Sequence, residues 1–146
     1  MIKVQEEDFD VNLEIKKITS HNKNIGGVGS FIGIVRGNDD ENLKSMTLEH
    51  YPIMTEKMLE KINSKAKNRW KLIDSLIIHR YGKLYPGDQI VLVATFSQHR
   101  KDALESCEFL IDWLKTKAPF WKLEETSIGK NWVKEKNSDL DAAKKW

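Results

Sequence analysis

"DSLIIHRYGKLYPGDQIVLVATFS", residues Asp74 to Ser97, places two apolar, β-branched runs on either side of a Pro-Gly-Asp turn. Proline presets φ and glycine accepts the reversed φ that a tight turn needs. The segment therefore reads as an antiparallel hairpin with arms over Asp74–Leu84 and Gln89–Ser97. Ile90–Ala94 has no polar interruption, the pattern of a strand covered on both faces. The period then changes. From His99 to Lys117, Ala103, Leu104, Cys107, Leu110, Ile111 and Leu114 recur at helical spacing, and Pro119 ends the run. Phe109 and Trp113 fall off that stripe and suit a second surface, such as a subunit contact.

Upstream, Ile2–Gln5 predicts a short strand. Asp10–Ser20 predicts a helix with Val11, Ile15 and Ile18 on one face and Asp8 or Asp10 as its cap. Val28–Val35 is apolar between turn formers and reads as a strand, followed by a polar, mobile loop within residues 37–44. "SMTLEHY" predicts a strand, after which Pro52 opens a helix running to Trp70, its missing N–H costing nothing there. Met54, Met58, Ile62 and Ala66 supply its buried stripe. Downstream, "FWKLEETS" reads as an edge strand, "KNWVKEK" as another, and "SDLDAAKKW" as a short capped helix or ordered tail. Three main helices and a mostly antiparallel sheet make an α+β fold, a single domain over residues 1–146.

Bulk properties exclude several functions. The chain has 146 residues and a net charge of only +2, so no strong nucleic-acid field is expected. The lone Cys107 excludes an intrachain disulfide framework and a cysteine-rich zinc site, and as part of a core stripe it reads as an inert thiol. It fits a reducing compartment, and a cytoplasmic location is the expectation. "MIKVQEEDFD" is neither a secretory signal nor a membrane span, and "IVLVA" is too short to cross a bilayer. "GGVG" precedes a strand rather than a helix and departs from the dinucleotide pattern. His50 and His79 lie in apolar strands and read as structural, with no second ligand at a metal spacing.

The cations divide between two readings. In "LKTKAPFWK", Leu114–Lys122, Lys115 occupies the last helical turn, where the helix dipole alone would favour it. Alternation puts Lys122 on the face of Phe120, and a helix turning through Ala-Pro into a strand can bring Lys115 and Lys122 together. Two ammonium groups sharing a partly dry site would lower each other's pKa and ease proton transfer. His99 and Arg100 open a helix whose N–H groups point toward anions, which suits phosphate. Arg36 ends a strand at the mouth of a loop. Each of these is also an ordinary solvated charge when taken singly.

Several longer motifs carry a resemblance. "SFIGIVRG", "MTLEHYPIMTEKML", "RWKLIDSLIIHRYGKLYPGDQIVLV", "SQHRKDALESCEFLIDWLKTKAPFWKLE" and the terminal "SDLDAAKKW" resemble the molybdopterin synthase catalytic (large) subunit family over about Gly26 to Trp146. The resemblance implies an α/β hammerhead-like fold and a sulfurtransferase. That enzyme converts cyclic pyranopterin monophosphate to molybdopterin, using two sulfurs from the thiocarboxylated C-terminus of a small ubiquitin-like sulfur-carrier subunit. It implies a homodimer, with one carrier at each end to make a heterotetramer, and no metal or other cofactor. By the same resemblance Lys115 and Lys122 are the catalytic lysines. Arg36, His99 and Arg100 bind phosphate and pterin, and Phe31, Glu124 and Lys136 line the pocket, with some residues supplied by the neighbouring subunit. Two positions depart from the family pattern. Ile111 stands where methionine is common, and Lys136 stands near a usual arginine and so loses a bidentate fork. The competing readings are a non-catalytic module that docks a ubiquitin-like partner and a small RNA-binding α+β domain, the second opposed by the near-neutral charge.

Overall fold

The computed structural model describes residues 1–37, 42–134 and 136–146. The centre of the expected loop over 37–44, residues 38–41, lies outside the described residues.

Two four-stranded sheets carry the fold. The first runs β1 (Ile2–Gln5), β4 (Asp74–Arg80), β6 (Gln89–Ser97), β2 (Gly27–Ile34). Its β1–β4 pair is parallel and its other pairs are antiparallel. The second runs β5 (Gly82–Leu84), β3 (Ser45–His50), β7 (Phe120–Thr126), β8 (Gly129–Trp132), and all its pairs are antiparallel. The helices are α1 (Val11–Thr19), α2 (Met54–Arg69), α3 (Arg100–Thr116) and α4 (Asn137–Lys144). None is long and apolar enough to cross a membrane among the described residues.

β6 is covered on both faces because its sequence alternates between two apolar sets. Val91 and Val93 meet Ile62, Ala66, Cys107 and Leu110 of α2 and α3, while Leu92, Ala94 and Phe96 meet Phe9 and Ile18 around α1. A third cluster, Val35, Leu43, Met46, Leu48 and Leu84, joins the second sheet to this core. Asp10 caps α1 by accepting from Leu13 N–H at 3.0 Å. Helix α3 lies directly on β2, where a Cβ on Gly29 would meet the Ala103 carbonyl oxygen at 2.4 Å.

Several expectations are corrected. The first hairpin arm is not one strand. It breaks at Tyr81, where Gly82 takes φ +86, and Gly82–Leu84 crosses to the second sheet to pair with β3. The turn after it is as read, with Gly87 at φ +94 and Asp88 N–H donating to the Tyr85 carbonyl at 2.9 Å. Pro52 does not open α2. It sits in the preceding turn, and Ile53, at φ 71 and with its side chain 67% exposed, precedes the first helical residue, Met54. The buried stripe of α2 is Thr55, Leu59, Ile62, Asn63 and Ala66, because Asn63 and Thr55 find hydrogen-bond partners in Ser75 and Tyr51. Met54 is exposed. On α3, Leu104 is exposed and Phe109 is buried to 4%. Phe109 meets Trp70 and Trp146 at ring-centroid distances of 5.1 and 5.7 Å, so it serves the core rather than a subunit contact. β7 is not an edge, since β3 and β8 flank it. Strand pairing in "KNWVKEK" ends at Trp132, and α4 starts without a side-chain cap.

Candidate functional site

A cavity of about 840 Å³ opens where the two sheets diverge. Its first wall is the end of β2, with Phe31 and Arg36, and its second is the last turn of α3, with Lys115. The third is β7. Phe120, Lys122 and Glu124 are spaced two apart, so a single strand face delivers all three. Lys136, Ser138 and Asp139 close the mouth from the start of α4. That helix is held by Trp146, whose indole N–H donates to Asp112 at 2.6 Å and whose carbonyl accepts from Arg69 at 3.3 Å.

The connection between the lysines is short. Lys117 caps α3, Pro119 forbids further helix, and Phe120 starts β7. Burial first, and then the facing Lys115 ammonium, lowers the Lys122 pKa to about 8. Asp139 opposes that fall, so it is the carboxylate that keeps part of the charge on Lys122. Behind Phe120 lies His79, pushed down to about 3 by burial, with Lys122 and Lys115 adding to the effect. The Cys107 thiol, outside the cavity, is pushed up to about 12 by burial and is inert at neutral pH.

Phe31, Arg36, Lys115, Lys122, Glu124 and Lys136 thus line one cavity, whereas His99 and Arg100 do not. They are exposed at the opposite end of α3, about 22 Å along the axis from Lys115 at 1.5 Å per residue. Sequence reasoning missed Asp139, which had no spacing signal beyond its place in the last helix. It also read His79 as purely structural, and nothing in the strand pattern marks which face of β4 meets the cavity.

An α+β protein that gathers cations around a half-buried lysine has the form of an enzyme for anionic reactants. The comparisons make that class specific. A family model described as "MoaE protein" matches residues 4–117. A molybdopterin synthase catalytic subunit of Ralstonia nicotianae is 52% identical over 146 residues, covering 99% of this chain and 83% of that one. The solved molybdopterin biosynthesis MoaE protein of Burkholderia ambifaria superposes with a TM-score of 0.85 at 49% identity, covering 100% of this chain and 97% of that chain. A Helicobacter pylori structure, a complex of subunits 1 and 2 of molybdopterin-converting factor, gives a TM-score of 0.77 at 27% identity, covering 92% of this chain and 91% of that one. The chain belongs to the MoaE family of molybdopterin synthase catalytic subunits and is a sulfur-transferring enzyme of molybdenum cofactor biosynthesis.

Proposed function

We propose that the cavity between the sheets is where cyclic pyranopterin monophosphate receives two sulfurs from the thiocarboxylated tail of a small ubiquitin-like carrier. The observation that carries this reading is the pairing of Lys115 with a half-buried Lys122 whose pKa lies near 8. Phosphate and thiocarboxylate repel each other, and a cationic cleft offsets that repulsion. In each round the carrier sulfur forms a carbon–sulfur bond and a substrate carbon–oxygen bond breaks. Water then hydrolyses the acyl–sulfur link, so the carrier leaves as a carboxylate and the substrate keeps a thiol. Oxygen and sulfur exchange places with no net redox change. Lys115 and Lys122 hold the tail and stabilise developing negative charge, and Lys122, titrating near the working pH, also moves the proton as oxygen leaves. Arg36 and Lys136 hold the phosphate, Glu124 orients the lysines, and Phe31 borders the pterin.

The proposed assembly is a heterotetramer of two such chains and two carriers, each chain acting as one domain. β2 is an edge strand of its sheet and exposes Val28, Phe31 and Ile34. Antiparallel pairing of two β2 edges about a two-fold axis would set the Arg36 end of one strand beside the Gly27 end of the other. Gly27 lies against Arg100, its Cβ position 3.5 Å from the Arg100 Cα. His99 and Arg100 then complete the cavity of the second copy. The expected carrier path is not pairing along β7, whose edges are largely taken, but entry past α4 into the lysine pair.

The test is a turnover assay with thiocarboxylated carrier and precursor. Lys122→Ala and Arg100→Ala dimers should each be inactive. Exchange of their subunits should restore about a quarter of wild-type activity by random pairing. Product from Lys122→Ala alone, or no restoration on mixing, would overturn the reading.

A further inference from the structure

The floor of the cavity is an imidazole that none of the roles above uses. His79 is 6% exposed and stacks on Phe120, with 3.7 Å between centroids and 12° between planes. Its Nδ1 lies 2.8 Å from the Arg80 carbonyl oxygen. A carbonyl oxygen only accepts, so Nδ1 carries the ring proton and Nε2 is left as a bare acceptor. Among the described residues no buried side-chain nitrogen or oxygen lacks a partner, and no protein donor reaches Nε2. Nε2 therefore opens onto the cavity that His79 lines.

Its neighbourhood is cationic. Phe120 and Lys122 are two apart on one face of β7, so the ring that clamps Phe120 lies beside the Lys122 side chain. The charged and titratable groups that face the imidazole are Lys122 and Lys115 from the cavity wall and His50, which lies on the far side of Phe120. Burial and those lysines keep the ring uncharged down to about pH 3. A carboxylate at this place would pair with Lys122 and raise its pKa, whereas an uncharged acceptor orients the amine and leaves its pKa low.

We propose that His79 is a positioning residue for Lys122: its Nε2 accepts a hydrogen bond from Lys122 Nζ and aims that amine at the reacting centre. The inference rests on the cavity being the site of sulfur transfer. The Arg80 carbonyl and the Phe120 ring fix the imidazole in two ways, by tautomer and by tilt. The acceptor therefore arrives pre-oriented and needs no rearrangement when the anionic tail enters.

Two substitutions separate the functions of the ring. His79→Asn keeps an N–H near the Nδ1 position and removes the acceptor at Nε2. His79→Gln places an amide oxygen near Nε2. In single-turnover assays of the full complex, His79→Asn should slow product formation about tenfold to hundredfold, the scale of a misaimed catalytic group, while carrier affinity stays at the wild-type value. His79→Gln should recover part of that loss. Nitrogen NMR of the wild-type chain provides a second measurement that needs no activity. It should show a protonated Nδ1 and an unprotonated Nε2 throughout the neutral range, with the Nε2 resonance moving on Lys122→Ala. A wild-type rate in His79→Asn, a protonated Nε2, or an Nε2 resonance indifferent to Lys122→Ala would overturn the role of His79. Wild-type protein that makes no product would instead sink the assignment of the cavity, and the resonance would still report on the Lys122 contact.

Discussion

β6 and β7 are both interior strands, yet they use that position differently. Every residue of β6 from Val91 to Ser97 is buried, with α1 on one side and α2 and α3 on the other. On β7 only Thr126 is buried, and one face is left to Phe120, Lys122 and Glu124 in the cavity. Hydrogen-bonded neighbours on both edges hold either strand in register, but only the first has apolar partners on both faces. Stability is concentrated in one sheet and chemistry in the other. A charge on β7 can therefore be half-desolvated without costing the protein its core.

The contrast breaks most sharply at Lys122. Lys122→Ala should lower turnover by about 10²–10⁴-fold, the usual worth of a proton-transferring group, with the urea midpoint close to wild type. Leu92→Ala makes the opposite cut. Leu92 is fully buried, so truncation should cost about 2–5 kcal/mol in calorimetry or urea unfolding, while protein that stays folded retains its kcat. Linked titration sharpens the comparison further. The folded chain sheds the Lys122 proton near pH 8 and the unfolded chain near 10.5, so the unfolded state binds more protons between those values. Wild-type stability, measured against Lys122→Met, should rise across that window. His79 has the opposite sign on the acid side. It stays neutral when folded down to about 3, against 6.5 unfolded, so wild type should lose stability relative to His79→Phe as the pH falls through that interval. The smallest effect is expected at the β7–β8 turn, where Ile128 is 74% exposed and Ile128→Ser should change unfolding free energy by less than about 0.5 kcal/mol.

The parts of the molecule legible in sequence were those decided by local chemistry. The apolar run of β6, the Pro-Gly turn, the Asp10 cap and the stop at Pro119 each follow from a few neighbouring residues. The approach of Lys115 and Lys122 was legible for the same reason, since a helix, a two-residue corner and a strand fix it. What escaped depends on partners distant in the chain. Phe109 looked outward because Trp146, which covers it, arrives from the far terminus. β7 looked like an edge because β8 adds only four residues beyond it. His79 looked merely structural because its stacking partner, Phe120, belongs to the other sheet.

Gly82 carries the backbone from one sheet into the other through a left-handed conformation, three residues after His79 and two before the buried Leu84. Both layers are thereby threaded on one continuous segment, with the lysine cleft in the wedge it leaves between them. The aperture of that wedge is governed by a single backbone joint. A side chain at that joint would alter the width of the gate while leaving each layer's own interior untouched.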